Sequence, residues 1–420
     1  MADPRSRLLA EAAIRAASAG NFAEAERQWR EVIKFEPLNP QALSSLGIHA
    51  LQRGDLKAGL ELLGSARAAA PHDLLVLMTL GNVHRQRGDS AAEREAIDAA
   101  LAVDAYYLPA LLARADWLER FSGASAAAET YSNCLKIAPP PSHWPDAFKP
   151  QLEHAREVVD RHTAALLKHV ASQVADLQSQ LPASLAPRWR EAANIVAKRA
   201  KPYFSECNQL HVPRLPAIPF FDRADFPWLA EMESKTAVIR DELAAALSAQ
   251  QDQFNPYIAY EPGQPVNQWR ELNHSKKWSA YHLWRGGVPQ KENLARCPES
   301  AAALERARMA EIGGLCPNAM FSALAPHSTI PPHNGETNAR VVAHLPLIVP
   351  EGCTYRVGAD ERGWKVGEIL IFDDTIEHEA RNDSDELRVV LIFDLWNPLL
   401  VPVERAMVQS ITAAARSFSV

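Results

Sequence analysis

The chain has 420 residues, 47% of them hydrophobic and 23% charged, an ordinary globular composition with room for two domains. A formal net charge of −7 argues against a nucleic-acid binder, whose affinity comes from neutralising phosphates. No apolar run is long enough to span a bilayer, and the N-terminal segment lacks a signal-peptide core. The five cysteines (Cys134, Cys207, Cys297, Cys316, Cys353) show neither CxxC spacing nor a disulfide framework, so the expected setting is soluble, reduced and cytoplasmic.

Residues 1–145 repeat themselves. Gly20, Gly54 and Gly88 stand 34 residues apart, each followed by Asn or Asp, with Gly123 one residue late. Prolines close the units at Pro37, Pro71 and Pro139, and Ala105 occupies the remaining mark. Leu46-Gly47 and Leu80-Gly81 open two units, while Ala25 with Trp29 and Ala127 with Tyr131 close the first and fourth. This period resembles the tetratricopeptide repeat, a helix-turn-helix unit whose apolar faces are buried only by stacking into a solenoid. The resemblance implies a concave surface for a peptide or partner protein; a purely structural or dimerising role is the alternative. The Ala-rich first helix offers a face for homo-oligomer formation.

Residues 146–200 read as a helical connector. The Pro139-Pro-Pro-Ser-His-Trp-Pro145 run breaks the last repeat. A helix is then predicted over roughly 150–180, with Leu152, Val159, Leu166, Val170 and Val174 at helical spacing, before Pro182 and Pro187 interrupt it. It is expected to cap the solenoid. His154, His162 and His169 read as part of a solvated face, not a metal site.

From 201 to 420 the texture changes. Prolines become frequent, a helix is predicted over about 227–250, and strands are predicted at Trp278–Trp284, Ala319–Ala325, Asn338–Val349, Thr354–Val357, Glu368–Phe372 and Leu387–Leu395. Glycines and the Asn382-Asp-Ser-Asp385 run mark turns between them. Short strands so spaced point to a double-sheet jelly roll with a polar site at its mouth. The expected fold class is therefore multidomain α + β, an N-terminal α-solenoid followed by a double-stranded β-helix.

Within that region His333 (Pro-Pro-His-Asn-Gly335) and His378 (Phe-Asp-Asp374-Thr-Ile-Glu-His) lie 45 residues apart. Ser322, Arg340, His344 and Arg388 accompany them in apolar, strand-forming surroundings, where unpaired ionisable groups are costly. Histidines from two strands can hold one Fe(II). Arg388, alone on Val389-Val-Leu-Ile-Phe393, suits a carboxylate that a guanidinium grips bidentately, with an internal ion pair as the alternative. A satisfied core histidine is the alternative for His344.

The segment Pro332-His-Asn-Gly-Glu-Thr-Asn-Ala-Arg-Val-Val-Ala-His344-Leu resembles the first core motif of the aspartyl/asparaginyl β-hydroxylase family. Ile371-Phe-Asp-Asp-Thr-Ile-Glu-His-Glu379, with Glu386-Leu-Arg388 through Trp396-Asn-Pro398, resembles the second; Phe226-Pro-Trp228 and Trp278-Ser-Ala-Tyr281-His-Leu283 resemble its lead-in segments. The resemblance covers roughly residues 200–400. It implies a dioxygenase using Fe(II), 2-oxoglutarate and O2, with His333 and His378 as metal ligands. No carboxylate follows His333 by two residues: that position is Gly335, as in the family. Water then fills the vacancy, held by Asp374, or Asp373 or Asp374 ligates directly. Ser322 and Arg388 are implied to take the far carboxylate of 2-oxoglutarate, and His344 to lie near its metal-bound end. The family pattern has two arginines where this chain has Arg340 and Val342. Positions 340, 342 and 344 share a strand face, so Arg340 is a candidate replacement. Trp278, Tyr281, Trp284 and Trp364 are either substrate-side or core aromatics.

The leading expectation is β-hydroxylation of Asp or Asn side chains in a polypeptide presented by the repeats. The same chemistry on a small molecule or lipid acyl chain is the second reading, and a non-catalytic repeat adaptor the third.

Overall fold

The computed structural model describes residues 4–182, 185–249 and 251–418, in two compact units, Met1–Val174 and Ala175–Val420. The first unit pairs its helices in chain order: α1 (Pro4–Ser18) with α2 (Phe22–Phe35), α3 (Pro40–Gln52) with α4 (Leu56–Ala69), α5 (Leu74–Gln86) with α6 (Ser90–Val103), and α7 (Leu108–Ser122) with α8 (Ala124–Ile137). The 34-residue mark is a helix stop joined to a helix start. Gly20, Gly54 and Gly88 take φ of +75°, +83° and +72° after α1, α3 and α5. The next residue, Asn21, Asp55 or Asp89, then accepts the N–H of Glu24, Ala58 or Ala92 and caps the following helix. The late glycine does not disturb the period. Gly123 itself takes the cap position of α8, with no side-chain bond, so the second helices still begin at 22, 56, 90 and 124.

The connector is α9 (Lys149–Gln178). Its buried Leu152, Ala155 and Val158 join Cys134, Tyr131 and Ala127 of α8, so its first turns close the apolar end of the last repeat. His154 is tied to Glu119 at 2.7 Å, and Glu119 also accepts from the Tyr131 hydroxyl at 2.8 Å.

The second unit carries short helices α10 (Ala186–Val196), α11 (Leu229–Glu233), α12 (Thr236–Ala249), α13 (Lys291–Arg296) and α14 (Pro298–Arg306), and ends in α15 (Pro402–Phe418). The single helix expected over 227–250 is thus two, and α13, α14 and α15 were not among the expected elements. The strands are β1 (Asn255–Pro256), β2 (Trp278–Arg285), β3 (Val288–Pro289), β4 (Ala319–Leu324), β5 (Ser328–His333), β6 (Arg340–Ile348), β7 (Cys353–Val357), β8 (Asp360–Arg362), β9 (Leu370–Phe372), β10 (His378–Asn382) and β11 (Arg388–Trp396). One antiparallel sheet runs β1-β2-β4-β11-β6-β9 with β3 on β2; the other runs β5-β10-β7-β8. From β4 to β11 the chain passes repeatedly between the two antiparallel sheets.

Period-2 alternation sorts the large sheet's side chains. Phe321, Ala343, Leu345, Leu391 and Phe393 face outward, where Ile239 and Leu243 of α12 and Leu304 of α14 cover them. Leu324, Val342, Val390 and Phe372 face inward and meet Ile330, Tyr355, Val357 and Ala380 of the small sheet. Ser322, Arg340, His344, Arg388 and Asp394 share that inner face by the same alternation, and all five are buried. No helix among the described residues is long and apolar enough to cross a membrane.

Candidate active site

His333 ends β5 and His378 begins β10, and the two are direct cross-strand partners. Their rings lie 4.0 Å apart between centroids. Each ring Nδ1 meets a backbone carbonyl, His333 that of Pro331 at 2.8 Å and His378 that of Ile376 at 3.0 Å. A carbonyl only accepts, so each Nδ1 carries the proton and each Nε2 keeps its lone pair. Burial, with the neighbouring His378, pushes His333 down to about 3; burial pushes His378 down to about 4. Both are neutral at physiological pH, the form that binds metal. Trp269 packs against His333 at 5.0 Å between centroids and holds its ring in place.

Two loops bring these strand ends together. The Gly335 N–H donates to Asp374 O at 2.7 Å, and the Asn334 side chain donates to Thr375 O at 2.8 Å. Asp373 is consumed in its own turn, accepting from the Thr375 N–H and hydroxyl and from Ser205. Asp374 is different. One carboxylate oxygen accepts from Arg340 at 2.9 Å, while Oδ1 is buried with no hydrogen-bond partner among the described residues. A Cβ at Gly335 would stand 2.1–2.5 Å from that carboxylate. The Asp374 side chain therefore fills the space a side chain at 335 would claim, and glycine is required there by close approach.

Deeper in the fold, Arg388 is 1% exposed, and its Nε and Nη1 have no hydrogen-bond partner among the described residues. Its guanidinium lies 4.5 Å from the Trp364 ring centre. Burial lowers its pKa to about 10, so it remains charged. An unpaired buried cation of this kind is costly unless an anion completes it. Ser322 sits one step along the neighbouring strand, since Leu324 pairs with Arg388 and Ser322 with Val390. The Ser322 oxygen accepts from Trp278 Nε1 at 3.0 Å, which leaves its proton available to donate. The Nδ1 of His344 accepts from Trp364 Nε1 at 3.3 Å. Its proton is therefore on Nε2, the opposite tautomer from the histidine pair; burial, then the Arg388 charge, hold it well below its ordinary value.

Arg340 also has an Nε without a hydrogen bond among the described residues, but unlike Arg388 it has carboxylate partners. Its guanidinium meets Asp374 at 2.9 Å, Asp394 at 3.4 Å and Glu336 at 3.5 Å, so its charge is already matched by three carboxylates. Val342, on the same face, is apolar and packed among its neighbours. Of the four candidate aromatics, Trp278 lines the cavity and Trp364 flanks Arg388, while Tyr281 and Trp284 pack in the outer core. Ser322, His333, Arg340, His344, Asp374, His378 and Arg388 border one cavity of about 550 Å³, which Tyr257, Trp269, Glu336, Asp394, His282 and Arg285 also line. Those six had not been singled out. Asp394 was within reach, because it repeats Arg388's face six residues on; Glu336 lies three residues after His333.

Set against known families, residues 233–398 match the aspartyl/asparaginyl β-hydroxylase profile, and residues 11–73 and 45–107 match the tetratricopeptide repeat. An ornithine lipid ester-linked acyl 2-hydroxylase of Rhizobium tropici is 34% identical over 224 residues, 52% of this chain and 75% of that one. The chain belongs to the aspartyl/asparaginyl β-hydroxylase family. The mouse aspartyl/asparaginyl β-hydroxylase is 34% identical over 142 residues, 33% of this chain and 19% of its own length. The human protein of the same name is 30% identical over 182 residues, 43% of this chain and 22% of its own. The hydroxylase profile thus falls within the second unit and the repeat matches within the first. In this family member the histidine pair, Asp374 and Arg388 all border the cavity, as does the apolar Val342.

Proposed function

We propose that the second unit is an Fe(II)- and 2-oxoglutarate-dependent hydroxylase. The observation that carries this reading is the pairing, in one cavity, of two neutral imidazoles with free Nε2 atoms and a buried guanidinium with unmet donors. The residues fit the implied groups. His333 and His378 would hold the iron, and Asp374 Oδ1 would hold a water in the place left open by Gly335. Arg388 and the Ser322 hydroxyl would take the far carboxylate of 2-oxoglutarate, with His344 Nε2–H donating toward its other end. When bound, the iron and its cosubstrates supply the oxidation of an unactivated C–H bond. The protein's share is to fix the ligands' tautomers, to orient the diacid along the inner sheet face, and to keep water from the apolar stretch formed by Met320, Val342 and Ile392.

Asp or Asn side chains in a polypeptide delivered by the repeat unit are the proposed substrates. A lipid acyl chain is the second reading. It is favoured by the apolar Met320–Val342–Ile392 stretch and by the Rhizobium relative, which acts on a lipid. Purified protein with Fe(II) and ascorbate should turn 2-oxoglutarate into succinate. His333→Ala should abolish this, and Arg388→Gln should raise the KM for 2-oxoglutarate by at least about tenfold, the value of a charge-assisted hydrogen bond. Unchanged turnover in the first variant, or an unchanged KM in the second, removes the reading. A mass shift of one oxygen, sought in peptides and in extracted lipids, separates the two substrate classes.

A further inference from the structure

Three arginines line the cavity, and each is in a different state. Arg340 is matched by carboxylates, and Arg388 is buried and unmet at the deep end. Arg285 is exposed at the last position of β2, and no hydrogen bond or ion pair engages its guanidinium among the described residues. The second unmet cation stands well apart from the first. His282 pairs with Met320 and Arg388 with Leu324, a separation of four residues along β4, or about 13 Å at the usual strand rise. Arg285 lies three residues beyond His282, so the two cations are rooted on well-separated rungs of the sheet.

Arg285 faces the cavity because of a bulge. Simple alternation from His282 would turn Arg285 to the opposite side of the sheet. The β2–β4 register instead shifts between His282 and Trp284, so that Trp284 pairs with Ala319. Leu283 and Trp284 both pack in the outer core, and Arg285 returns to the inner side with His282. Bulges re-aim side chains beside sites in this way. The end of the strand is then fixed: the Gly286 N–H donates to Asn318 Oδ1 at 2.8 Å, and Asn318 in turn donates to Asp394. His282 Nδ1 is buried and makes no hydrogen bond of good geometry among the described residues, with the Trp284 backbone near enough to act on the ring. Burial and the Arg285 charge push His282 down to about 4, so the ring offers polarity and Arg285 supplies the charge.

We infer that His282 and Arg285 form an oxyanion subsite for the substrate, taking a carboxylate or phosphate group. The subsite rests on the hydroxylase reading for its role but not for its existence. It also supplies, from β2, a cation that position 342 of β6 lacks.

The test uses the full chain loaded with Zn(II) and N-oxalylglycine, which occupies the Arg388 end. Calorimetric titration follows N-acetyl-aspartate amide, N-acetyl-asparagine amide and inorganic phosphate, with wild type and the Arg285→Gln, Arg285→Lys and His282→Gln variants. At least one oxyanion is expected to bind, with affinity about tenfold lower in R285Q and partly restored in R285K, as the loss of one charge-assisted contact implies. The neutral amide should bind no better to wild type than to R285Q. Preference for the aspartate probe points to a carboxylate on a peptide or amino acid, and preference for phosphate to a phosphorylated headgroup. Binding that is equal in R285Q, or no oxyanion binding up to about 10 mM, a free energy under roughly 3 kcal/mol, overturns the inference. Failure of N-oxalylglycine itself to bind wild type would overturn the cosubstrate reading instead. Phosphate binding lost in R285Q but kept in R388Q would still uphold the subsite.

Discussion

At the residue scale the decisive object is the carboxylate of Asp374 lying where a side chain at Gly335 would be. A facial set of three protein ligands would need an acid at 335; this chain brings one from a different loop and ties it to Arg340. Gly335→Ala should therefore act like Asp374→Ala, by displacing the carboxylate instead of deleting it. Both are expected to weaken metal binding about 10- to 100-fold, the usual cost of losing a group that positions metal ligands. A Co(II) titration followed by its visible absorption reads this directly, and wild-type affinity in G335A would show that Asp374 has no part in the centre. Charge at this scale also sets a pH response of the metal-free protein. His282 and His344 are held neutral by burial, with Arg285 and Arg388 respectively adding to the effect. The unfolded chain takes up protons at these residues below the ordinary value of 6.5, while folded His282 does so only near 4. Between those limits the unfolded state binds more protons, so stability is full above pH 6.5 and falls as pH drops toward 4. Urea midpoints measured at pH 7.5 and 5 should show the decline, and His282→Gln should make it shallower.

At the element scale, the repeat unit shows how one short motif does two jobs. The glycine ends a helix in the left-handed region, and the next residue's side chain starts another. Asp89→Ala removes the α6 cap and should cost about 0.5–2 kcal/mol, read from denaturant midpoints. The same substitution scheme has no counterpart at Gly123, where backbone alone fills the position. The strands that were harder to read carry the histidines. β5 contains Pro331 and Pro332, which spoil its strand signature, and it is tolerated because β5 is an edge strand of the small sheet. β10 is only five residues long and begins at His378 itself, so nothing precedes that histidine to announce it. The bulge in β2 hid Arg285 for a related reason: period-2 reasoning assumes unbroken register, and the register breaks there.

For the molecule as a whole, what could be read in the residues was periodic or compositional, and what could not depended on contacts made far along the chain. The 34-residue repeat, the connector helix and the run of strands were legible because each follows from local spacing. Arg388 was legible too, since it stands out as a charge in an apolar strand, and the fold buries it. The commitment of Arg340 to Asp374, Asp394 and Glu336 was not, because those partners lie 34, 54 and 4 residues away and only folding brings them together. The division of labour has a thermodynamic consequence. Each unit buries its own apolar clusters, the repeats around Leu63, Trp29 and Tyr131 and the jelly roll around Phe321 and Val390. A ligand that binds only the folded jelly roll stabilises that unit by mass action, about 2.7 kcal/mol at 100 times its Kd. Calorimetry of the full chain with Zn(II) and N-oxalylglycine should accordingly move one transition upward and leave the other in place. Hydrogen exchange should assign the shifted transition to residues after 175, with protection in β4, β6 and β11 rising while α2 to α6 stay unchanged. An equal rise in both would mean that the two units unfold as one cooperative body.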